Sequence, residues 1–155
     1  MMDALDKAAG LTVDDAIFNA RRARPEFVDG AELCRLSVLS PQHGLGFAAD
    51  MRIALAQRIA ALNEDQELVG EYARQLAALD PAPPLLALAQ GYSELPEPLA
   101  TIARHVDLVT LTPAKAQRGN ITRLEQAGLT NPQIVALSEL IAFVNFQTRV
   151  ATGLR

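Results

Sequence analysis

Apolar side chains recur every three or four residues along most of the chain, which is the period of an amphipathic α-helix. The clearest stripe lies in 47–62, where it runs through Met51, Leu55 and Ile59 with small alanines between them. A second stripe of the same period follows in 65–79. Shorter or weaker patterns predict further helices over 12–22, 31–39, 85–90, 98–109, 114–127 and 131–152.

Capping residues and helix breakers set the predicted ends of the early helices. Thr12 and Asp15 have the spacing of a capping box, so we expect the first helix to start near Thr12. Pro25 and Gly30 should interrupt the chain after that helix. The pattern therefore predicts short helical pieces before residue 40.

Capping signals define the last helix most sharply. Gly128 suits the position just after a helix, because glycine adopts a left-handed backbone without strain. Thr130 then takes the N-cap position, with Gln133 at the matching position of a capping box. The most apolar run of this helix, Ile134 to Phe146, contains Glu139 and is too short to cross a bilayer.

Apolar side chains surround this last helix instead of forming one stripe. Between Ile134 and Val144 the only polar side chains are Ser138 and Glu139. A surface helix of a small monomer hides one face, so a second apolar face in water would be an unusually large patch. We therefore predict a homo-oligomer (a dimer, trimer or hexamer) that forms through residues 131–152. The alternative is a central helix wrapped by its own chain.

Composition supports an all-α fold in a single domain. Of the 155 residues, 27 are Ala and 23 are Leu, whereas aromatic residues make up only 5%. Alanine and leucine favour helices, and strands favour the aromatic and β-branched residues that are comparatively few here. Half of the chain is apolar, which is enough to bury a core without disulfides or metals.

Charge and cysteine content exclude several classes of function. The net charge is −4 and no cationic run is longer than Arg21–Arg22, so we expect no nucleic-acid partner. The single cysteine, Cys34, excludes an intrachain disulfide and a CxxC metal site, and we predict neither a metal nor a cofactor. The acidic N-terminal segment lacks a signal-peptide core, so we predict a cytoplasmic protein with no membrane contact.

Few side chains offer reactive chemistry. Cys34 lies beside Leu33 and Leu36, and we interpret it as a buried small hydrophobe and not as a reactive thiol. We expect His105 to pack or cap near the end of its helix. His43 lies in a glycine-flanked loop, which gives it no rigid support for catalysis.

Two segments resemble a known family. They are MRIALAQRIAALNEDQELVGEY and AGLTNPQIVALSELIAFVNFQTRVATGL, which are similar to the alkylhydroperoxidase AhpD and carboxymuconolactone decarboxylase (CMD) family. The resemblance covers residues 47–152. It implies an AhpD-like helical bundle over 47–155 with an N-terminal helical extension over 1–46, and it implies oligomers. Active members of the family use a Glu, eleven residues and then C-x-x-C-x-x-x-H as a redox relay.

This chain lacks every reactive group of that relay. In the same register Ile53 replaces the Glu, Asp65 and Leu68 replace the two Cys, and Tyr72 replaces the His. The resemblance therefore implies no dithiol chemistry. Leu68 and Tyr72 extend the apolar stripe of their helix, so we interpret this face as core, and an acid/base pair of Asp65 and Tyr72 is the alternative.

Other positions agree better with the family. Arg52 and Asn63 match residues that often flank the motif. Asn145 and Arg149 match the Asn and Arg of the family's final helix, and their spacing of four places them on one helical face. We expect this pair to bond neighbouring loops or another subunit.

Three hypotheses of function remain. The first is a catalytically degenerate, antioxidant-related partner subunit, with an intact alkylhydroperoxidase-like paralogue as a candidate partner. The second is a cofactor-independent acid/base enzyme of the decarboxylase type, whose candidates are Asp65, Tyr72, His105 and Arg149. The third, a helix-turn-helix protein, is disfavoured because the last helix has no Lys or Arg before Arg149. An enclosed cavity that holds two of these four candidates within hydrogen-bond reach would favour the enzyme, whereas a solid apolar core at Leu68 and Tyr72 would favour the partner subunit.

Overall fold

The computed structural model describes all residues from Met1 to Arg155 and contains helices and loops but no strand. The predicted all-α class is therefore confirmed. A 3₁₀ turn at Pro113–Lys115 lies between the seventh and eighth helices. The α-helices are α1 (Ala4–Ala9), α2 (Ala16–Arg22), α3 (Pro25–Leu39), α4 (Ala49–Leu62), α5 (Gln66–Ala78), α6 (Pro83–Ala89), α7 (Leu99–Leu111), α8 (Arg118–Gln126) and α9 (Asn131–Leu154).

The helices with the strongest sequence signals lie close to their predicted bounds. Helices α4, α5 and α9 each begin and end within two residues of the prediction. The capping box of α9 is confirmed, since the Thr130 hydroxyl accepts the Gln133 N–H and the Gln133 side chain accepts the Thr130 N–H. Gly128 has a positive φ of 101°, as its position after α8 requires.

The predicted break at Gly30 is wrong, because helix α3 runs through it. A break does occur before Pro25, since α2 ends at Arg22 and α3 begins at Pro25 itself. The first helical position tolerates proline because its missing N–H has no helical acceptor there. The side chain of Asp15 accepts hydrogen bonds from the N–H and the hydroxyl of Thr12, so the second helix begins only after Asp15. The short helix α1 was not predicted.

Helix α4 lies at the centre of the molecule and contacts α3, α5, α6, α7 and α9. Its alanines Ala54, Ala56 and Ala60 have no exposed surface, and their small side chains let neighbouring helices approach closely. Leu5 and Leu39 from the N-terminal segment belong to the same hydrophobic core. Residues 1–46 are therefore packed against residues 47–155.

Two buried arginines of α4 hold the surrounding chain in place. The Arg52 guanidinium donates to the carbonyls of Val38, Gly44 and Phe47 at 2.8, 2.7 and 3.0 Å. These carbonyls belong to the end of α3 and to the loop that precedes α4. Arg52, which the resemblance singled out, thus has a structural role here.

Arg58 makes the corresponding contacts on the other side of α4. Two of its nitrogens lie 2.8 Å from the carboxylate oxygens of Asp107 on α7. A third nitrogen donates to the carbonyls of Leu88 and Tyr92, at the end of α6 and just after it. One side chain therefore connects α4, α6 and α7.

Helix α9 is mostly enclosed by its own chain. Leu137, Leu140 and Val144 are almost fully buried, whereas Val135 and Phe146 remain exposed. This burial matches the alternative stated for the sequence and removes the observation on which the homo-oligomer was based, so the oligomer stays a prediction. By length and composition α9 could cross a membrane, but so could the buried core helix of a water-exposed protein.

Asp6 of α1 is fully buried and joins α1 to α2 through ion pairs with Arg21 and Arg22. Burial by itself would raise the pKa of the Asp6 carboxyl. Hydrogen bonds from Arg22 and from the Asp3 backbone, together with the charges of both arginines, outweigh burial and lower the pKa. Ionised Asp6 therefore stabilises the folded state.

The first prediction concerns Arg58. Arg58→Ala should lower the free energy of unfolding by about 2–4 kcal/mol, because Asp107 and two carbonyls lose their partner. The control is Arg74→Ala, which removes an exposed arginine paired only with Glu71 and should cost less than about 0.5 kcal/mol. Urea unfolding followed by circular dichroism measures both values. Equal losses in the two variants would contradict the role of Arg58.

The second prediction concerns Asp6 and pH. Since the pKa of Asp6 is lower in the folded than in the unfolded state, its stabilising contribution is complete above the unfolded value and is lost as pH falls through the folded one. Asp6→Asn should therefore destabilise the protein at neutral pH, and its difference from wild type should shrink in acid. The exposed Asp14→Asn is the control. A difference independent of pH, measured by urea unfolding across the acid range, would contradict the prediction.

Candidate functional site

The positions aligned with the family's relay have structural roles. Ile53 and Leu68 are buried in the hydrophobic core. Asp65 is the N-cap of α5, where its carboxylate accepts the Leu68 N–H at 3.2 Å. The same carboxylate oxygen lies 2.7 Å from the guanidinium of Arg155, so Asp65 fastens the C-terminal residue to α5. No hydrogen bond joins Asp65 to Tyr72, and the second carboxylate oxygen of Asp65, Oδ2, is buried without a partner.

Tyr72 lies in the core with only 2% of its surface exposed. Its hydroxyl donates a hydrogen bond to the side-chain oxygen of Gln147 on α9. Burial raises the pKa of the Tyr72 phenol, so the hydroxyl stays protonated at neutral pH. A protonated, buried and bonded hydroxyl is a structural contact and a poor general base.

A cleft of about 590 Å³ lies over Tyr72, among α1, α3 and α5. Of the four candidate residues it contains only Tyr72. Its charged groups largely neutralise one another, since Glu32 pairs with Arg35 and Glu71 pairs with Arg74. Lys7 and Glu67 line it without an ion pair, but no buried titratable group other than Tyr72 faces it.

His105 is the buried candidate whose side chain makes no hydrogen bond. It lies in the middle of α7, not near its end as expected, and only 8% of its surface is exposed. Neither ring nitrogen has a hydrogen bond within the protein, and Nδ1 is buried. Burial lowers the pKa of His105, so the imidazole is neutral at neutral pH.

Two clefts meet at His105 and Asn120, and both residues line each of them. The larger, of about 550 Å³, lies among α7, α8 and α9 and also contains Arg149. The smaller, of about 400 Å³, lies between α7 and α8. We name the two together the arginine cleft, because its charged lining residues are Arg104, Arg118, Arg123 and Arg149 and it contains no carboxylate.

The two matched residues of the final helix have different roles. Asn145 is buried and bonds Asn63 of the α4 end at 3.0 Å and Thr110 of α7 at 3.4 Å. It therefore bonds neighbouring helices within its own chain. Arg149, one turn later, is exposed in the arginine cleft and makes no hydrogen bond.

The prediction that Cys34 is buried is wrong. Cys34 is exposed on α3, and its neighbours Leu33 and Leu36 are exposed as well. Helix α3 turns Val38 and Leu39 inward instead, so its apolar stripe does not coincide with the core-facing side. No group of His, Cys, Asp or Glu side chains is large enough to hold a metal ion.

Gln147 and three arginines of the cleft, Arg104, Arg118 and Arg123, were not predicted from the sequence, whereas Arg149 was. A signal for the arginines was present, because residues 108–124 contain no Asp or Glu in a chain that is acidic overall. A local charge count along the chain would have found it. No comparable signal marked Gln147, whose partner Tyr72 is remote in sequence.

Comparison with known proteins does not assign this chain to a family. No family model matches this chain, and no curated protein matches it.

The third prediction concerns Tyr72. Tyr72→Phe should lower the free energy of unfolding by about 1–3 kcal/mol, because it leaves the Gln147 oxygen buried without a donor. Tyr72→Ala should cost about 3–5 kcal/mol, since it also empties a buried aromatic site. In a Gln147→Leu background the cost of Tyr72→Phe should fall towards zero. A double-mutant cycle in urea measures this coupling, and additive losses would contradict the bond.

Proposed function

We propose that this chain is a catalytically degenerate partner subunit, similar to the AhpD/CMD proteins, that performs no dithiol peroxidase chemistry. The observation that supports the proposal is the structural use of the relay positions. Ile53 and Leu68 are core residues, and Asp65 and Tyr72 are bonded to Arg155 and Gln147. A relay needs two thiols and a free proton carrier at these positions.

A homo-oligomer, contact with an intact alkylhydroperoxidase-like paralogue and a cytoplasmic location belong to the same proposal. The apolar side chains of α9 that remain available for such contacts include Val135 and Phe146. Phe146 lies beside exposed Cys34 and Phe27 in an apolar groove between α3 and α9.

The fourth prediction tests the absence of thiol peroxidase activity. Peroxide consumption with a dithiol reductant should stay at the uncatalysed rate for wild type and for Cys34→Ser alike. Cys34 is exposed but has no second cysteine with which to form an intrachain disulfide. A robust wild-type rate that disappears in Cys34→Ser would overturn the proposal and assign a one-cysteine peroxidase.

The second candidate function is cofactor-independent acid/base catalysis. A specific observation favours it, because His105 and Arg149 line the same cleft and His105 is neutral and unbonded. A neutral imidazole can accept a proton, and a nearby arginine can stabilise a negative charge. Asp65 and Tyr72 have no part in this version, since both are engaged elsewhere.

A further inference from the structure

The unpaired imidazole of His105 is the first indication of a ligand in the arginine cleft. Buried polar atoms in folded proteins nearly always have a hydrogen-bond partner, and an exception calls for a water, an ion or a ligand. His105 is more than nine-tenths buried, and no protein group bonds to either ring nitrogen. The ring lines the arginine cleft, so a hydrogen-bonding group of a ligand in that cleft could reach the imidazole at its exposed edge.

The charge of the cleft is the second indication. Four arginines line it without a carboxylate, although the chain as a whole carries a net charge of −4. Arg118, Arg123 and Arg149 form no ion pair, and Arg104 has only a long exposed contact of 3.4 Å with Glu97. Uncompensated guanidinium groups attract carboxylates and phosphates and can bond them with two N–H groups.

The shape of the cleft limits the size and the polarity of the ligand. Helix α8 begins at Arg118, so the positive end of its dipole lies at the cleft. Val109, Ile121 and Ala142 form an apolar wall in the larger part, whose volume of about 550 Å³ is typical of small-molecule sites. The arrangement suits a compound with an acidic group and an apolar body.

We propose that the arginine cleft binds a small organic anion. Arg118 and Arg149 hold its carboxylate or phosphate group, His105 forms a hydrogen bond with it, and its apolar body contacts Val109 and Ile121. The inference rests on the cleft of the acid/base candidate but requires no catalysis. A ligand that binds and is recovered unchanged would support the inference and remove the enzymatic function.

The fifth prediction tests the site by NMR titration with three probes of similar size. Benzoate and phenyl phosphate carry the two acidic groups, and benzyl alcohol is the uncharged control. Both anions should shift the imidazole signals of His105 and saturate, whereas benzyl alcohol should not. His43, the only other histidine, is exposed in the loop before α4, does not line the cleft and serves as the internal control. The anion that binds more tightly identifies the acidic group that the cleft prefers.

Variants that lack the guanidinium charge then test whether Arg118 and Arg149 bind the anion. Arg118→Gln combined with Arg149→Gln should weaken binding of the better anion by at least about tenfold, because two charge-assisted contacts are lost. Both side chains are exposed and unbonded, so the fold should survive the change. Arg74→Gln removes the same charge from the other cleft and should change the affinity by less than about twofold.

Three outcomes would overturn the inference. The first is the absence of a saturable shift at His105 with either anion. The second is an equal loss of affinity in the Arg74 control, which would indicate attraction by net charge alone. The third is tighter binding of a short DNA duplex that depends on Arg118 and Arg149, which would assign the surface to nucleic-acid phosphates.

Discussion

The fold depends on the pairing of the two arginines that α4 buries. A buried guanidinium without partners would cost several kcal/mol, so Arg52 and Arg58 require their acceptors in fixed positions. These acceptors are the end of α3, the loop before α4, the end of α6 and Asp107 of α7. Through Asp107, Arg58 joins α7 to α4. The same helix α7 carries His105, two residues before Asp107, and His105 lines the cleft shared with α8 and α9.

The polar side chains of the interior divide into those with complete and those with incomplete hydrogen bonding. The polar atoms of Asn145 and Tyr72 already form hydrogen bonds within the protein. A group bonded in this way gains little further stabilisation from a ligand. His105 has no such bond, and Arg149 and Arg118 point their charges into a cleft without acids. Ligand binding is therefore expected where polar and charged groups without partners line a cleft, which here is the arginine cleft.

The resemblance to the AhpD/CMD proteins and the geometry lead to different parts of the molecule. The relay register points to α4 and α5, where Ile53 and Leu68 are core and Asp65 anchors the C-terminal residue. His105 and the arginines that form no ion pair lie on α7, α8 and α9 instead. Two further buried atoms without a partner, Gln57 Oε1 and Asp65 Oδ2, do not line the arginine cleft. A core requires only apolar packing and paired polar groups, whereas a site requires unpaired groups in a cleft, so the two need not occupy the same part of a scaffold.

Features that depend on neighbours within one or two turns were determined by the sequence itself. The caps at Thr130 and Gly128 and the stripes of α4 and α5 are of this kind, since each is complete within a short segment. The tertiary structure alone decided which side of α3 faces inward, and so exposed Cys34. It also paired Tyr72 with Gln147 and left His105 unpaired. These outcomes depend on contacts between residues remote in sequence, and no local period or cap encodes such contacts.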